Sequence, residues 1–152
     1  MLIGVISDTH KLVRESALLA LAGVDVLLHA GDVGAPAVLS TLASIAPVHA
    51  VRGNVDRDEW ADVLPASCDL EFDGVHIHMR HDRHSPVAPG HDAAFDVVIS
   101  GHSHKPGLDT VGSVLYLNPG SAGPRRFSLP ISEALITAAD GQCRAELVTL
   151  DN

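Results

Sequence analysis

The chain has 152 residues, 46% of them hydrophobic and 19% charged, and ten Lys and Arg against nineteen Asp and Glu leave a formal net charge of −9. This length suits a single domain, 1–152, that buries its own core, and the composition excludes wholesale disorder. The acidic balance, with no basic block, disfavours nucleic-acid backbones and anionic membranes, and no apolar stretch approaches the roughly 20 residues of a membrane span.

Leu2–Ser7 is an apolar run that reads as a strand buried on both faces. No basic n-region precedes it and no cleavage site follows, so it does not read as a signal peptide. Leu12–Ala22 reads as a helix from its three- and four-residue Leu and Ala spacing, Asp25–Leu28 as a strand, Pro36–Ala43 as a helix with Pro in its first turn, and Pro47–Val51 as a third strand. This β-α-β-α-β order predicts a parallel sheet with right-handed crossovers. Beyond it, Asp69–Phe72 and Val75–Arg80 alternate as antiparallel strands, Phe95–Ser100 is a buried strand, and Gly112-Ser113 and Asp140-Gly141 read as hairpin turns. Two facing sheets with helices outside use all these elements. Cys68 and Cys143 lie far apart without a CxxC pattern and read as reduced thiols of a cytoplasmic protein.

The chemistry gathers at strand ends. The strands run in turn into Asp8-Thr9-His10, Gly31-Asp32, Gly53-Asn54-Val55-Asp56, His81 and Gly101-His102-Ser103-His104. In parallel α/β sheets, ligand sites lie beyond the carboxyl ends of strands. Asp8, Asp32 and Asn54 offer oxygen, and His10, His81, His102 and His104 offer imidazole nitrogen. Seven groups exceed one closed tetrahedral site and suit two metals that share a carboxylate and leave positions open. The absence of thiolates favours a borderline or hard divalent ion.

The order DTH, GD, GN, H, GHSH resembles the calcineurin-like metallophosphoesterase superfamily. With the short length and the segment Asn118-Pro119-Gly120-Ser121, it resembles the small prokaryotic phosphodiesterase branch, to which the retromer metallophosphoesterase-like subunit is related. The resemblance implies an α/β fold, a four-layer αββα sandwich of two mixed β-sheets flanked by helices. It implies that Asp8, His10 and His104 hold one divalent ion, that Asn54, His81 and His102 hold a second, and that Asp32 bridges them. Mn2+ is the preferred ion, with Zn2+, iron or Ni2+ as alternatives. Asp32, Asn54 and His81 are the implied catalytic residues, and the implied reaction is in-line attack of a metal-bridging hydroxide on a small phosphodiester. The one-residue spacers of Asp8/His10 and His102/His104 fit side chains projecting the same way from extended backbone.

Some positions depart from the family. Lys11 and Asp82 stand where many relatives have Gly, and Val55 stands where larger members carry a histidine thought to assist the leaving group. Valine transfers no proton, so that step carries over to no residue here. Several other residues have two readings. His29 is a satisfied core histidine or supports a ligand; Asp56 holds a loop or a metal-bound water; His84 contacts substrate or solvent. Arg125 and Arg126 grip a phosphate or are plain surface charge, and Asn118–Ser121 reads as a tight turn under the site. The functional reading is a phosphodiesterase in preference to a monoesterase, with a small substrate, no specific nucleic acid, no membrane and a homo-oligomer admitted. Its rival is a weakly catalytic or non-catalytic protein-binding scaffold on the same fold.

Overall fold

The computed structural model describes residues 1–150; the last two residues of the expected domain lie outside that range. Its strands are β1 (Leu2–Ile6), β2 (Val26–His29), β3 (Val48–Ala50), β4 (Ser67–Phe72), β5 (Val75–Arg80), β6 (Val97–Ile99), β7 (Gly107–Val111), β8 (Val114–Asn118), β9 (Ser132–Ala139) and β10 (Gln142–Thr149). Helix α1 spans Glu15–Ala20 and α2 spans Pro36–Ala43.

Two five-stranded sheets result, ordered β10-β9-β1-β2-β3 and β4-β5-β6-β8-β7. Each is mixed. β1, β2 and β3 run parallel and β9–β10 close the edge antiparallel; β5, β6 and β8 run parallel between antiparallel β4 and β7. The hairpin signals hold. Asp140 and Gly141 both take left-handed φ, 51° and 78°, as do Asp73 and Gly74 at 48° and 79°. That pair of conformations matches the twist of the flanking strands.

The period-two pattern decides what the sheets bury. Val75, Ile77 and Met79 of β5 point into the core between the sheets, against Ile3, Val5 and Leu28. The opposite face of the first sheet is covered by α1 and α2, through Ala17, Leu21, Val38 and Leu42 packed with Ile6 and Leu27. The outward face of the second sheet carries His76, His78 and Arg80 and offers no apolar stripe to seat a long helix. One 3-10 turn, His91–Ala94, covers it, held by Arg80 to Asp92 at 2.8 Å and by Tyr116 Oη–H donating to Asp92 at 2.7 Å. The layered sandwich therefore stands, with its helical layer on that side reduced to a turn. Helix α1 is shorter than the 12–22 expected. The Leu12 N–H donates to Thr9 O in a turn that sets Lys11 at φ 73°, and Arg14 is still extended. The apolar spacing before residue 15 thus belongs to a loop. The carboxyl ends of β1, β2, β3, β5 and β6 lead into the five ligand-bearing segments.

Candidate metal centre

All seven residues singled out from strand ends come together. Asp8 groups with His10 and His104, and again with Asp32 and His81, each group close enough to hold one ion. His104 Nε2 lies 3.4 Å from Asp8 Oδ1, and His10 Nε2 lies 3.6 Å from Asp32 Oδ2. His81 Nε2 is 3.3 Å from Asp32 Oδ2 and 3.1 Å from Asn54 Oδ1. His102 Nδ1 is 3.2 Å from the same Asn54 oxygen. Asp32 Oδ2 thus stands between the His10 and His81 rings, where a shared carboxylate would serve both sides. Asp8 Oδ1 and His10 Nε2 are buried without a hydrogen-bond partner among the described residues. Buried polar atoms are rarely left so, and two aimed into one ligand cluster fit a cation. The family model of the calcineurin-like phosphoesterase superfamily domain matches residues 1–141.

The chain belongs to the calcineurin-like phosphoesterase superfamily.

It is 34% identical over 154 residues to a probable metallophosphoesterase of Methanothermobacter thermautotrophicus, covering 93% of this chain and 88% of that protein. It is 27% identical over 138 residues to the phosphodiesterase MJ0936 of Methanocaldococcus jannaschii, covering 79% and 83%. Among solved structures, Chaetomium thermophilum Vps29 is similar, with a TM-score of 0.77 at 22% identity over 98% of this chain and 97% of that one.

In this phosphoesterase five of the seven candidate ligands sit on strained backbone. Asp8, His10, Asp32, His102 and His104 have φ of 55°, 45°, 57°, 69° and 63°. Non-glycine residues in that region cost about 1 kcal/mol or more each and persist only where surrounding contacts over-determine them. The expectation of extended spacers is therefore corrected. His10 and His104 reach the centre because the chain turns sharply at each of them, and the Asp8–His10 turn is pinned by Asp8 N–H to Gly31 O and His10 N–H to Asp32 O, both at 3.0 Å. Gly53 and Gly101 permit the close approach. A Cβ on Gly53 would overlap Asp32, and one on Gly101 would overlap Ser7 Oγ and Asp8 Oδ2.

A supporting layer sets protonation. His81 Nδ1–H donates to Ala30 O at 2.8 Å, leaving Nε2 to face the carboxylates. Burial disfavours the His81 imidazolium, yet the hydrogen bond to Asp32 and the charge of Asp8 outweigh it and raise the pKa. Burial likewise opposes the Asp32 charge, but His81 and the Val55 N–H hold its pKa at about 2. Burial raises Asp8, against a hydrogen bond from Ser7 Oγ–H at 2.7 Å. Burial, with the nearby Arg126 charge, lowers His104 to about 4, which leaves the ring neutral, the form that could bind a metal. This corner thus attracts positive charge, and burial keeps the His104 ring neutral.

His29 is satisfied and also supportive. It is fully buried with its pKa lowered by burial to about 4. Gly31 N–H donates to its Nδ1 at 3.1 Å, so Nε2–H donates to Thr9 Oγ1 at 3.0 Å, whose hydroxyl donates to Val33 O at 2.9 Å. The chain ties the Asp8 loop to the Asp32 loop. Asp56 holds loop geometry. Its carboxylate accepts from Val33 N–H (3.1 Å), Gly34 N–H (2.9 Å) and Gly53 N–H (2.9 Å). The Asn118–Ser121 turn lies under the site, with Asn118 Nδ2–H donating to Gly101 O at 2.9 Å and Ser121 Oγ–H to Asp8 O at 3.0 Å. His78 is buried against Asp69, His49 and His76 are exposed, and Val55 contributes only its backbone. Ser7 was not among the residues singled out, since a serine ending a strand carries no distinguishing pattern.

Proposed function

We propose that this phosphoesterase is a binuclear-metal phosphodiesterase for small substrates. Asp8, His10 and His104 hold one ion, Asn54, His81 and His102 hold the other, and Asp32 bridges. The observation that carries this reading is the convergence of these seven donors around the unpartnered Asp8 Oδ1 and His10 Nε2. Two divalent ions, Mn2+ favoured, would supply Lewis-acid polarisation of the phosphoryl group and a nucleophile at neutral pH.

The chain's own residues do the rest. Asp32, ionised at neutral pH and anchored by the Val55 N–H, sets the separation of the two half-sites. Ala30 O fixes the His81 tautomer so that Nε2 faces inward. The backbone hydrogen bonds around Asp56 and His29 hold the ligand loops in place before substrate arrives, so little reorganisation is needed during the reaction. The likeness to phosphodiesterase MJ0936 supports a diester substrate. Cys68 and Cys143 are both free, in keeping with a cytoplasmic location. Among the described residues no helix is long and apolar enough to cross a membrane.

The test is hydrolysis of bis(p-nitrophenyl) phosphate and p-nitrophenyl phosphate as Mn2+ is titrated into chelator-treated protein. Metal-dependent turnover favouring the diester, lost in Asn54→Ala and His81→Ala, is expected. Folded protein that binds two ions yet turns over neither ester would sink the reading and leave the protein-binding scaffold.

A further inference from the structure

Several openings lead from the metal centre to solvent, and their charges differ. The opening beside Asn54, His81 and His102 includes Arg80, whose guanidinium is already engaged by Asp92 at 2.8 Å, and one exposed arginine without a carboxylate partner among the described residues, Arg52. The opening beyond His102 includes Arg83, which pairs with Asp109 at 3.0 Å and stacks over Tyr116, 3.9 Å from the ring centroid, and the exposed Lys105. Of these three, the third brings two adjacent arginines together. It is a cleft of about 360 Å3 lined by His10, His104, Pro124, Arg125 and Arg126. Both arginines are exposed, and neither pairs with a carboxylate among the described residues.

Two adjacent unpaired guanidinium groups are unexpected on a chain of net charge −9. The loop that carries them is not loose. Ala122 N–H donates to Ser7 O at 3.1 Å, and Gly123 packs so tightly on the Asp8 and Thr9 carbonyls that a Cβ would not fit. Arg14 clamps the same segment by donating to Gly123 O at 3.1 Å. The loop bearing Arg125 and Arg126 is therefore registered directly on the loop bearing Asp8 and His10. Arg126 lies close enough for its charge to bear on His104. The arrangement gives two guanidinium forks, suited to phosphate oxygens, beside one half of the metal centre.

We propose that Arg125 and Arg126 form a subsite for a second, non-scissile phosphate, so that the substrate is a small phosphoester whose retained group carries its own phosphate on the His10–His104 side. This rests on the phosphoesterase reading for the scissile phosphate. It adds a specificity determinant that the seven ligand residues do not supply.

The test compares two p-nitrophenyl diesters with metal-reconstituted full-length protein. One has a plain propyl group as its second ester, and the other has a propyl group ending in a phosphate. In parallel, calorimetry compares propane-1,3-bisphosphate with propyl phosphate. The ratio within each pair is read, not the absolute rate or affinity. Wild-type protein is expected to prefer the phosphate-bearing member by about tenfold or more in kcat/KM and in Kd, a cautious value for exposed charge-assisted pairs. Arg125→Ala/Arg126→Ala should reduce both ratios to below about threefold, and Arg125→Lys/Arg126→Lys should lie between, since lysine lacks the fork. No preference in wild type, or a preference surviving the double alanine change, overturns the subsite. If neither diester turns over, the phosphoesterase reading fails, and the calorimetric ratio alone upholds or overturns the subsite.

Discussion

Replacing Asp56 with alanine should damage a site that Asp56 never touches as a metal ligand. Its buried carboxylate accepts three backbone N–H groups from two loops, Val33 and Gly34 beside Asp32, and Gly53 beside Asn54. Hydrogen bonds to a charged group contribute about 1.5–3 kcal/mol each. The three share one acceptor, and water can reach part of the space left by a methyl group. The sum is therefore not additive, and about 3–5 kcal/mol is expected. Against a typical stability of about 5–15 kcal/mol, the variant should still fold. Urea denaturation of Asp56→Ala and wild type gives the stability difference directly. Mn2+ calorimetry on chelator-treated protein gives the functional consequence, expected as at least about a tenfold loss of affinity, the size typical of losing a ligand-orienting partner. Asp56→Asn keeps an acceptor oxygen but turns an amide N–H toward a donor, so it should fall between the two. A stability within 1 kcal/mol of wild type, or unchanged metal affinity, would refute the account of Asp56 as the tie between the Asp32 and Asn54 loops.

Two further outcomes follow from buried groups elsewhere. Glu133 is fully buried, neither of its carboxylate oxygens has a partner among the described residues, and burial raises its pKa from 4.5 to about 8. Between those values the folded chain keeps a proton that the unfolded chain releases. This group's contribution to stability is therefore whole below pH 4.5, falls as pH rises, and is lost through about pH 8. Glu133→Gln should remove that slope, leaving wild type about 3 kcal/mol weaker at pH 7 than at pH 4.5 by comparison with the variant. Parallel pH slopes in urea denaturation of the two proteins would overturn it. Gly101→Ala places a methyl group against Ser7 and Asp8, and overpacking of this kind costs about 1–3 kcal/mol, or several degrees of Tm at this size. Gly107→Ala, where the added Cβ meets nothing within 4 Å, is the control, and equal Tm values for the two would count against the close packing.

The cluster of candidate donors was legible because its members follow strand ends and most sit in a short local pattern, whereas His81, among His76, His78 and His84, was placed by the order of motifs. The N-terminal β-α-β-α-β pattern and the Asp140-Gly141 hairpin were legible for the same reason, since a turn's chemistry is local. Helix α1 is shorter than the apolar spacing predicts because Leu12 and Val13 lie in a loop, Leu12 exposed and Val13 half-buried, and the Thr9–Leu12 turn that claims them depends on where β1 ends. The thin outer layer on the second sheet depends on Arg80 and Asp92 meeting across that face.

The sequence by itself determined the donor types, their order and the alternation that builds two sheets, because these depend on residue identity and near-neighbour spacing. Only the tertiary structure decided how the donors are held. The left-handed turns at Asp8 and His102, the three N–H groups gathered on Asp56, and the Arg125–Arg126 loop registered on the Asp8 loop all join segments far apart in the chain. Their energetics come from backbone groups that every residue carries, and only the fold chooses which of those groups meet.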